Sequence, residues 1–497
     1  MFTLVILAIV VVVASRLFRS WRNPWVSYPP GPRGLPAIGN GLQIPVTRQW
    51  IKFSEWAKEY GPIFHLSIGP QHLIVLNTPE VVEDLFVKQN KTFSDRVSPY
   101  VAAEIVSGGQ KIIYSSADSP EFKVTHRVYH QALNKTASRV YRPIQQLESA
   151  VLLKELLSHV DDYTEVRVYG DGNEHDVPDR HWFNHVRRMS LSIARTIVYG
   201  ERVVESFNNP VTTGFYETVS DITRISLPGA FLVDTFPILK ALPNLLAPWR
   251  AMANEMHAKH SSQYLSYLQS ARNDLLNLNA SERRPGNLVQ DYLRARTEAG
   301  QGSGLMGYEL PGQGLTEEGW MRDEMLANAA ASLLEAAAET TAGTVCSFVL
   351  AMVGNPRVVK KAQEELDRIV GRDRLPSFED EDRLPYVVAC MKETVRCRPA
   401  APLAIPHCVS EDTTYKGYFI PQGAAVFGNI WALQMDEKRF PEPTQFKPER
   451  WLNSSSDGAL GETKPVRLHG GPERDRDKAR SEMHAKIIRE CGVVGTV

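Results

Sequence analysis

One stretch in the second half of the chain limits the fold most, because it reads as a single very long helix. Thr316 is a suitable N-cap, Glu317 and Glu318 favour a first helical turn, and no proline interrupts the chain before Pro356, two residues after Gly354. About 37 helical residues would extend for roughly 55 Å. A helix of that length crosses a whole globular body, so the rest of the chain must fold around it.

The middle of this helix, from Asn328 to Gly343, is rich in alanine but also carries Glu335, Glu339, Thr340 and Thr341. Small side chains let a large flat group approach the helix, and threonine hydroxyls that bond the carbonyl four residues earlier loosen the ladder and make room for a ligand. The other interpretation is a plain packing helix whose two glutamates form a solvated face. Like charges at this spacing repel mildly, which argues against a purely structural design.

The N-terminus is dominated by apolar residues from Phe2 to Ala14 and predicts a membrane segment. The run is short for a span of about 20 residues, so a cleaved signal peptide is the alternative. Arg16, Arg19 and Arg22 follow the run, which favours an anchor whose C-terminal body faces the cytoplasm. We therefore expect a transmembrane anchor over residues 1–20, followed by a stiff proline-rich hinge over residues 21–40.

Composition excludes several classes of partner and scaffold. The 56 basic and 57 acidic residues give a net charge of −1, which disfavours a nucleic acid partner. The five cysteines include no C-x-x-C pair and are too few to staple a secreted protein of this size. Cys346, Cys390, Cys397 and Cys408 are expected to be buried and unreactive, with no metal site among them.

Short elements surround the long helix. Strands are predicted over 65–68, 72–77, 412–420 and 424–431, a helix begins at Pro79, and another spans 356–370. A further helix over 384–396 places Glu393 and Arg396 on one face, and a second arginine, Arg450, lies in the loop 446–451. An exposed pair of this kind contributes little by itself.

Several motifs occur in a fixed order along the chain, and together they carry a resemblance. They are an apolar N-terminus, Pro29-Pro30-Gly31-Pro32, Ala338-Glu339-Thr340-Thr341 in the long helix, Glu393-x-x-Arg396, and Pro448-Glu449-Arg450-Trp451. In this order they closely resemble a fungal, membrane-anchored cytochrome P450 over residues 1–468.

The resemblance implies a mainly α fold with small β-sheets in which haem lies beside the long helix. It also implies a monooxygenase of fungal secondary metabolism that inserts one oxygen atom from O2 into a lipophilic substrate, with electrons from NADPH passed on by a cytochrome P450 reductase. The expected location is the endoplasmic reticulum membrane, spanned once, with the catalytic domain in the cytosol.

The resemblance also assigns site residues. Glu339 and Thr340 match the acid-alcohol pair that supplies protons, and Glu393, Arg396 and Arg450 match the structural Glu-Arg-Arg triad. Cofactor-binding candidates for the haem propionates are His126 and Arg127, near the positions where the family has tryptophan and arginine, and also His407.

The chain departs from the family after Trp451. The Phe-Gly-x-Gly-x-Arg-x-Cys-x-Gly loop that supplies the axial thiolate is missing, and the remaining downstream thiol is Cys491, whose flanking residues fit that pattern poorly. We therefore expect an incomplete catalytic domain over 41–468 and an aberrant charged tail over 469–497, through a frameshift, a misread intron or a truncation. The alternative function is a catalytically inactive, haem-free remnant tethered to the membrane.

Overall fold

The computed structural model describes residues 27–36, 38–158, 182–204, 209–227, 229–277, 287–304 and 307–452. The predicted anchor over 1–20, the tail over 469–497 and Cys491 lie outside these residues. The predicted hinge is described from Ser27 onward.

Helices make up most of the described chain. They are α1 (Gln49–Tyr60), α2 (Pro79–Val82), α3 (Asn90–Phe93), α4 (Pro120–Leu133), α5 (Arg142–Ser158), α6 (Trp182–Tyr199), α7 (Pro210–Ser226), α8 (Leu232–Thr235), α9 (Pro248–Asn277), α10 (Leu288–Glu298), α11 (Asp323–Gly354), α12 (Pro356–Ile369), α13 (Pro385–Cys397) and α14 (Ile430–Gln434). The helices predicted at Pro79, over 356–370 and over 384–396 are confirmed.

Two small sheets accompany the helices, as predicted for a mainly α fold. Their strands are β1 (Ile63–Ile68), β2 (Gln71–Leu76), β3 (Asp95–Arg96), β4 (His407–Cys408), β5 (Thr413–Tyr415), β6 (Tyr418–Ile420) and β7 (Ala425–Gly428). The larger sheet has the order β1-β2-β7-β4-β3, with β2 and β7 parallel, and β5 and β6 form a separate hairpin.

The predicted strand over 424–431 is only half correct. Strand β7 ends at Gly428, and α14 begins at Ile430 because the Asn429 side chain accepts a hydrogen bond from the backbone N–H of Ala432. The predicted strand over 412–420 is divided by Gly417, whose φ of 84° turns the chain into the hairpin of β5 and β6.

The long helix is confirmed, but its predicted start is wrong. It begins at Asp323 rather than Thr316, because the Thr316 hydroxyl accepts a hydrogen bond from the N–H of Trp320 within a tight turn instead of capping a helix. Gly319, with a φ of 86°, allows that turn. The Asp323 carboxylate accepts hydrogen bonds from the buried guanidinium groups of Arg272 and Arg296, which fixes the N-terminal end of α11.

The largest hydrophobic core surrounds the first half of α11 and includes side chains of α6, α9 and α10. By length and composition α11 could cross a membrane. Its first half packs in this core, whereas little of its most apolar stretch is buried. Near its middle Ala336, Thr340 and Gly343 are exposed along one side. The fold therefore presents the alanine-rich segment as an open, small-residue wall.

Candidate active site

The densest polar network in the candidate site centres on the carboxylate of Glu393, which is fully buried on α13. Both oxygens accept hydrogen bonds from Arg396, from Nε and from Nη2, each at 2.8 Å. The Nε of Arg450 donates at 3.0 Å, the backbone N–H of Lys447 at 2.9 Å and the indole N–H of Trp451 at 2.9 Å. The structure thus brings Glu393, Arg396 and Arg450 together.

This network ties α13 to the irregular segment between α14 and Trp451. Arg396 is 1% exposed and also donates to the carbonyl oxygens of Gln434 and Pro443, each at 2.8 Å. Burial alone would raise the pKa of Glu393, but the hydrogen bonds from Arg396, the Lys447 N–H and Trp451 outweigh it and hold that pKa below its usual value. The carboxylate is therefore ionised at neutral pH and fully paired.

The acid and the alcohol on α11 have different environments. A guanidinium nitrogen of Arg187 on α6 donates to Glu339 at 2.9 Å, and the same guanidinium lies over the rings of Phe183 and Tyr216. The hydroxyl of Thr340 donates to the carbonyl oxygen of Ala336 at 2.7 Å, the local bond that the sequence predicted as possible. The oxygen of Thr340 keeps its accepting capacity on the open side of the helix.

Glu335 lies one turn before Glu339 and does not form a solvated face with it. Its carboxylate accepts hydrogen bonds from Lys111 and from the hydroxyl of Tyr264, each at 2.5 Å. Lys111 is only 3% exposed, so this is a buried ion pair inside the wall. The repulsion expected between the two glutamates is offset because each has its own cation, Lys111 for one and Arg187 for the other.

The structure places the three candidate anion-binding residues on two separate elements. His126 and Arg127 are exposed on α4, where the His126 ring stacks on Phe122. His407 lies on β4, stacks on Phe86 and shares a 2.7 Å hydrogen bond between its Nδ1 and the carbonyl oxygen of Phe93. Burial, and secondarily the charge of Arg96, lower the pKa of His407.

Sequence reasoning missed Arg96, the residue paired directly with His407 in the sheet. Its guanidinium donates to the carbonyl oxygen of Ile405 at 3.0 Å, and burial lowers its pKa. Arg187 and Lys111 were missed for a common reason. They lie 152 and 224 residues from their glutamate partners, a separation at which no local pattern reveals a pair.

The described cysteines behave as structural residues. Burial raises the pKa of Cys390 to about 12 and those of Cys397 and Cys408 to about 11, so these thiols stay protonated. Cys346 packs in the core between α5, α6 and α11. Within the described ranges, no group of three histidine, cysteine or acidic side chains is placed to hold a metal ion.

Comparisons with known proteins agree with one another. The family model described as Cytochrome P450 matches residues 29–466. The chain is 42% identical to Cytochrome P450 monooxygenase 79 of Postia placenta, over 92% of this chain and 78% of that protein. It is 33% identical to the monooxygenase virE of Hypocrea virens, over 90% and 73%. A solved zebrafish cytochrome P450 with progesterone shares the fold, with a TM-score of 0.61, 24% identity and coverage of 82% of this chain and 84% of that one.

Proposed function

The chain belongs to the cytochrome P450 family, and from that premise we propose that it is a monooxygenase that inserts one oxygen atom from O2 into a lipophilic substrate. The observation that carries the proposal is the complete network of Glu393, Arg396 and Arg450, which starts from α13, a helix that packs against α11. Five N–H groups donate to one buried carboxylate and order the segment that leads from α14 to Trp451. Such order is of use where a cofactor-binding loop has to follow.

Haem is the cofactor that the family implies, and the described residues fit only part of it. A methyl group added at Gly343 would meet nothing within 4 Å, so the wall of α11 accepts a flat ring. Arg96, the neighbour of His407 in the sheet, offers a cation for carboxylates. The described thiols do not fit an axial ligand, because they are protonated and structural. The described residues therefore do not complete a haem site.

The proposed roles of the protein residues follow from their contacts. Glu339 and Thr340 hold and move protons at the open face of α11, since one accepts a hydrogen bond from Arg187 and the other keeps a free accepting oxygen. Glu393, Arg396 and Arg450 are structural. His126, Arg127 and His407 remain candidates for binding haem carboxylates, and His407 has the support of its neighbour Arg96.

A cavity of about 530 Å³ has a mostly apolar lining, which suits access of a lipophilic substrate, although no residue of α11 lines it. Its lining includes Ile44, Val46, Leu227 and Phe231. Leu42 and Leu232, which adjoin lining residues in the chain, are exposed, as are Ile238 and Leu245. Exposed apolar surface of this extent marks a membrane or partner contact, which suits entry of an apolar molecule from a bilayer.

The remaining parts of the proposal concern location and partners. Residues 1–20 anchor the protein once in the endoplasmic reticulum membrane, and the domain over 41–468 faces the cytosol. An NADPH-dependent reductase supplies electrons, and the substrate is an intermediate of fungal secondary metabolism. These statements rest on the apolar N-terminal sequence and on the family.

The experiment is a difference spectrum of the reduced, CO-treated full chain, expressed with haem supplied. A thiolate-type Soret band that disappears in Cys491→Ser would support the monooxygenase and identify its ligand. Circular dichroism of the same sample must show helical, folded protein. A folded parent protein without such a band overturns the proposal.

That outcome would support the second candidate, a haem-free protein tethered to the membrane. The observation favouring it is that each described thiol is engaged in packing or held protonated. The two candidates share their fold and differ only in the cofactor, so the spectrum separates them.

A further inference from the structure

The proline-rich segment that leads into the body is packed against two hairpins. The backbone N–H of Phe419 donates to the carbonyl oxygen of Ser27 at 2.8 Å, and the N–H of His65 donates to that of Pro30 at 2.9 Å. At Gly31 a side chain has no room, because a Cβ would lie 2.0 Å from the carbonyl oxygen of His65. Residues 27–32 are therefore docked on β1 and β6 through their backbone.

The aromatic side chains at this junction form a stack. The Tyr28 ring lies over the imidazoles of His65 and His72, with centroids 4.9 and 5.1 Å away and interplanar angles of 16° and 18°. The edge of Phe419 meets the same ring at 5.9 Å. The docked segment is thus held by ring contacts as well as by backbone hydrogen bonds.

The two imidazoles face one another. Nε2 of His65 and Nδ1 of His72 lie 2.9 Å apart, so the two facing nitrogens share a single hydrogen. A second proton would set two N–H groups against each other and two positive charges beneath the ring of Tyr28. Burial, and then the charge of His72, lower the pKa of His65 to about 3.

The groups that meet at the stack come from four elements. Tyr28 belongs to the docked segment, His65 to β1, His72 to β2 and Phe419 to β6. Besides burial, His72 is the group whose charge acts on His65. A second proton at the pair is disfavoured because the charge of one imidazole acts against a charge on the other.

We propose that Tyr28, His65 and His72 form an acid-sensitive latch that holds residues 27–32 on the body and fixes the point from which the N-terminal segment is tethered. The latch is independent of haem and of catalysis. When residues 27–32 are docked, the His65–His72 pair takes up at most one additional proton. When these residues are released, the pair takes up two.

The sign of the pH dependence follows from that difference in protons. Above about pH 6.5 the docked and released states bind equal numbers of protons, and the docking equilibrium does not change with pH. Below that pH the released state binds one proton more, so the docking constant falls up to tenfold for each unit of pH. Between pH 6.5 and 5 the expected loss is roughly 16-fold.

Amide hydrogen exchange of the full chain in phospholipid nanodiscs tests the latch. The N–H groups of His65 and Phe419 report on docking, because both bond to the segment, and the N–H of Asn429, which bonds to Leu76, reports on the sheet itself. After correction for intrinsic exchange, protection at His65 and Phe419 should fall roughly 16-fold from pH 6.5 to 5, while protection at Asn429 stays constant.

Variants complete the test. The double variant H65Q/H72Q keeps groups that can hydrogen-bond but cannot titrate in this range, so protection at Phe419 should no longer depend on pH. Tyr28→Ala should lower protection of both reporters at every pH, and its matched control Tyr28→Phe should not. The latch is wrong if protection in the parent chain is independent of pH, or if H65Q/H72Q retains the parent's dependence with Asn429 still protected.

Discussion

Glu393→Gln is expected to destabilise the protein by about 3 to 5 kcal/mol, the loss typical of removing one partner of a buried ion pair. The magnitude follows from the burial of the network. Arg396 is 1% exposed and has its Nε and Nη2 directed at Glu393, and Arg450 adds a second, largely buried cation. A glutamine of the same shape would leave both positive charges without a carboxylate and would turn an amide N–H2 toward groups that also donate.

Urea unfolding of the full chain in detergent, followed by tryptophan fluorescence, measures this loss. Trp451 lies in the network and reports on it directly, since its indole N–H donates to Glu393. The matched control is Glu217→Gln, which breaks the 3.1 Å pair with Lys259, in which both side chains are about half exposed. That change should lower stability by less than about 1 kcal/mol. The reasoning fails if the two variants unfold at the same urea concentration with the same slope.

Three further results are expected. The pKa of Glu393 is lowered in the folded state, so its contribution to stability is complete at neutral pH and is lost as the pH falls below about 4.5. The urea midpoint of the parent protein should therefore drop more steeply on acidification than the urea midpoint of Glu393→Gln. Glu335→Gln leaves Lys111, 3% exposed, without its carboxylate, and should lower stability by about 3 kcal/mol in the same assay; a loss below 1 kcal/mol would contradict a buried pair. Thr340→Ala removes an exposed hydroxyl and should change stability by no more than about 0.5 kcal/mol, so a larger loss would show that Thr340 is structural rather than a proton carrier.

The sequence predicted those parts of the structure that depend on local chemistry. Proline at the first helical position marked the beginnings of α2 and α12, and the spacing of Glu393 and Arg396 placed them on one face of α13. Local signals misled where two local structures compete for the same residue. Thr316 could cap a helix or close a turn, and the buried arginines at Asp323 decided in favour of the turn.

Tertiary pairing accounts for the rest of the site. Glu335 and Glu339 stand out within the alanine-rich helix, but no local pattern indicates which cations neutralise them. Arg187 and Lys111 belong to distant segments and meet α11 only after the core has formed. The same holds for Arg96, which reaches His407 through a two-residue strand too short to predict.

The two glutamates on α11 also link parts of the protein that are far apart in the chain. Glu335 binds Lys111 at the start of the 112–114 turn, and Glu339, one helical turn later, binds Arg187 on α6. A small rotation of α11 about its axis would move both carboxylates at once and strain both ion pairs. Displacement of either neighbour should therefore be transmitted to the other as a coupling free energy, which a double-mutant cycle of Lys111→Met with Arg187→Met would measure directly.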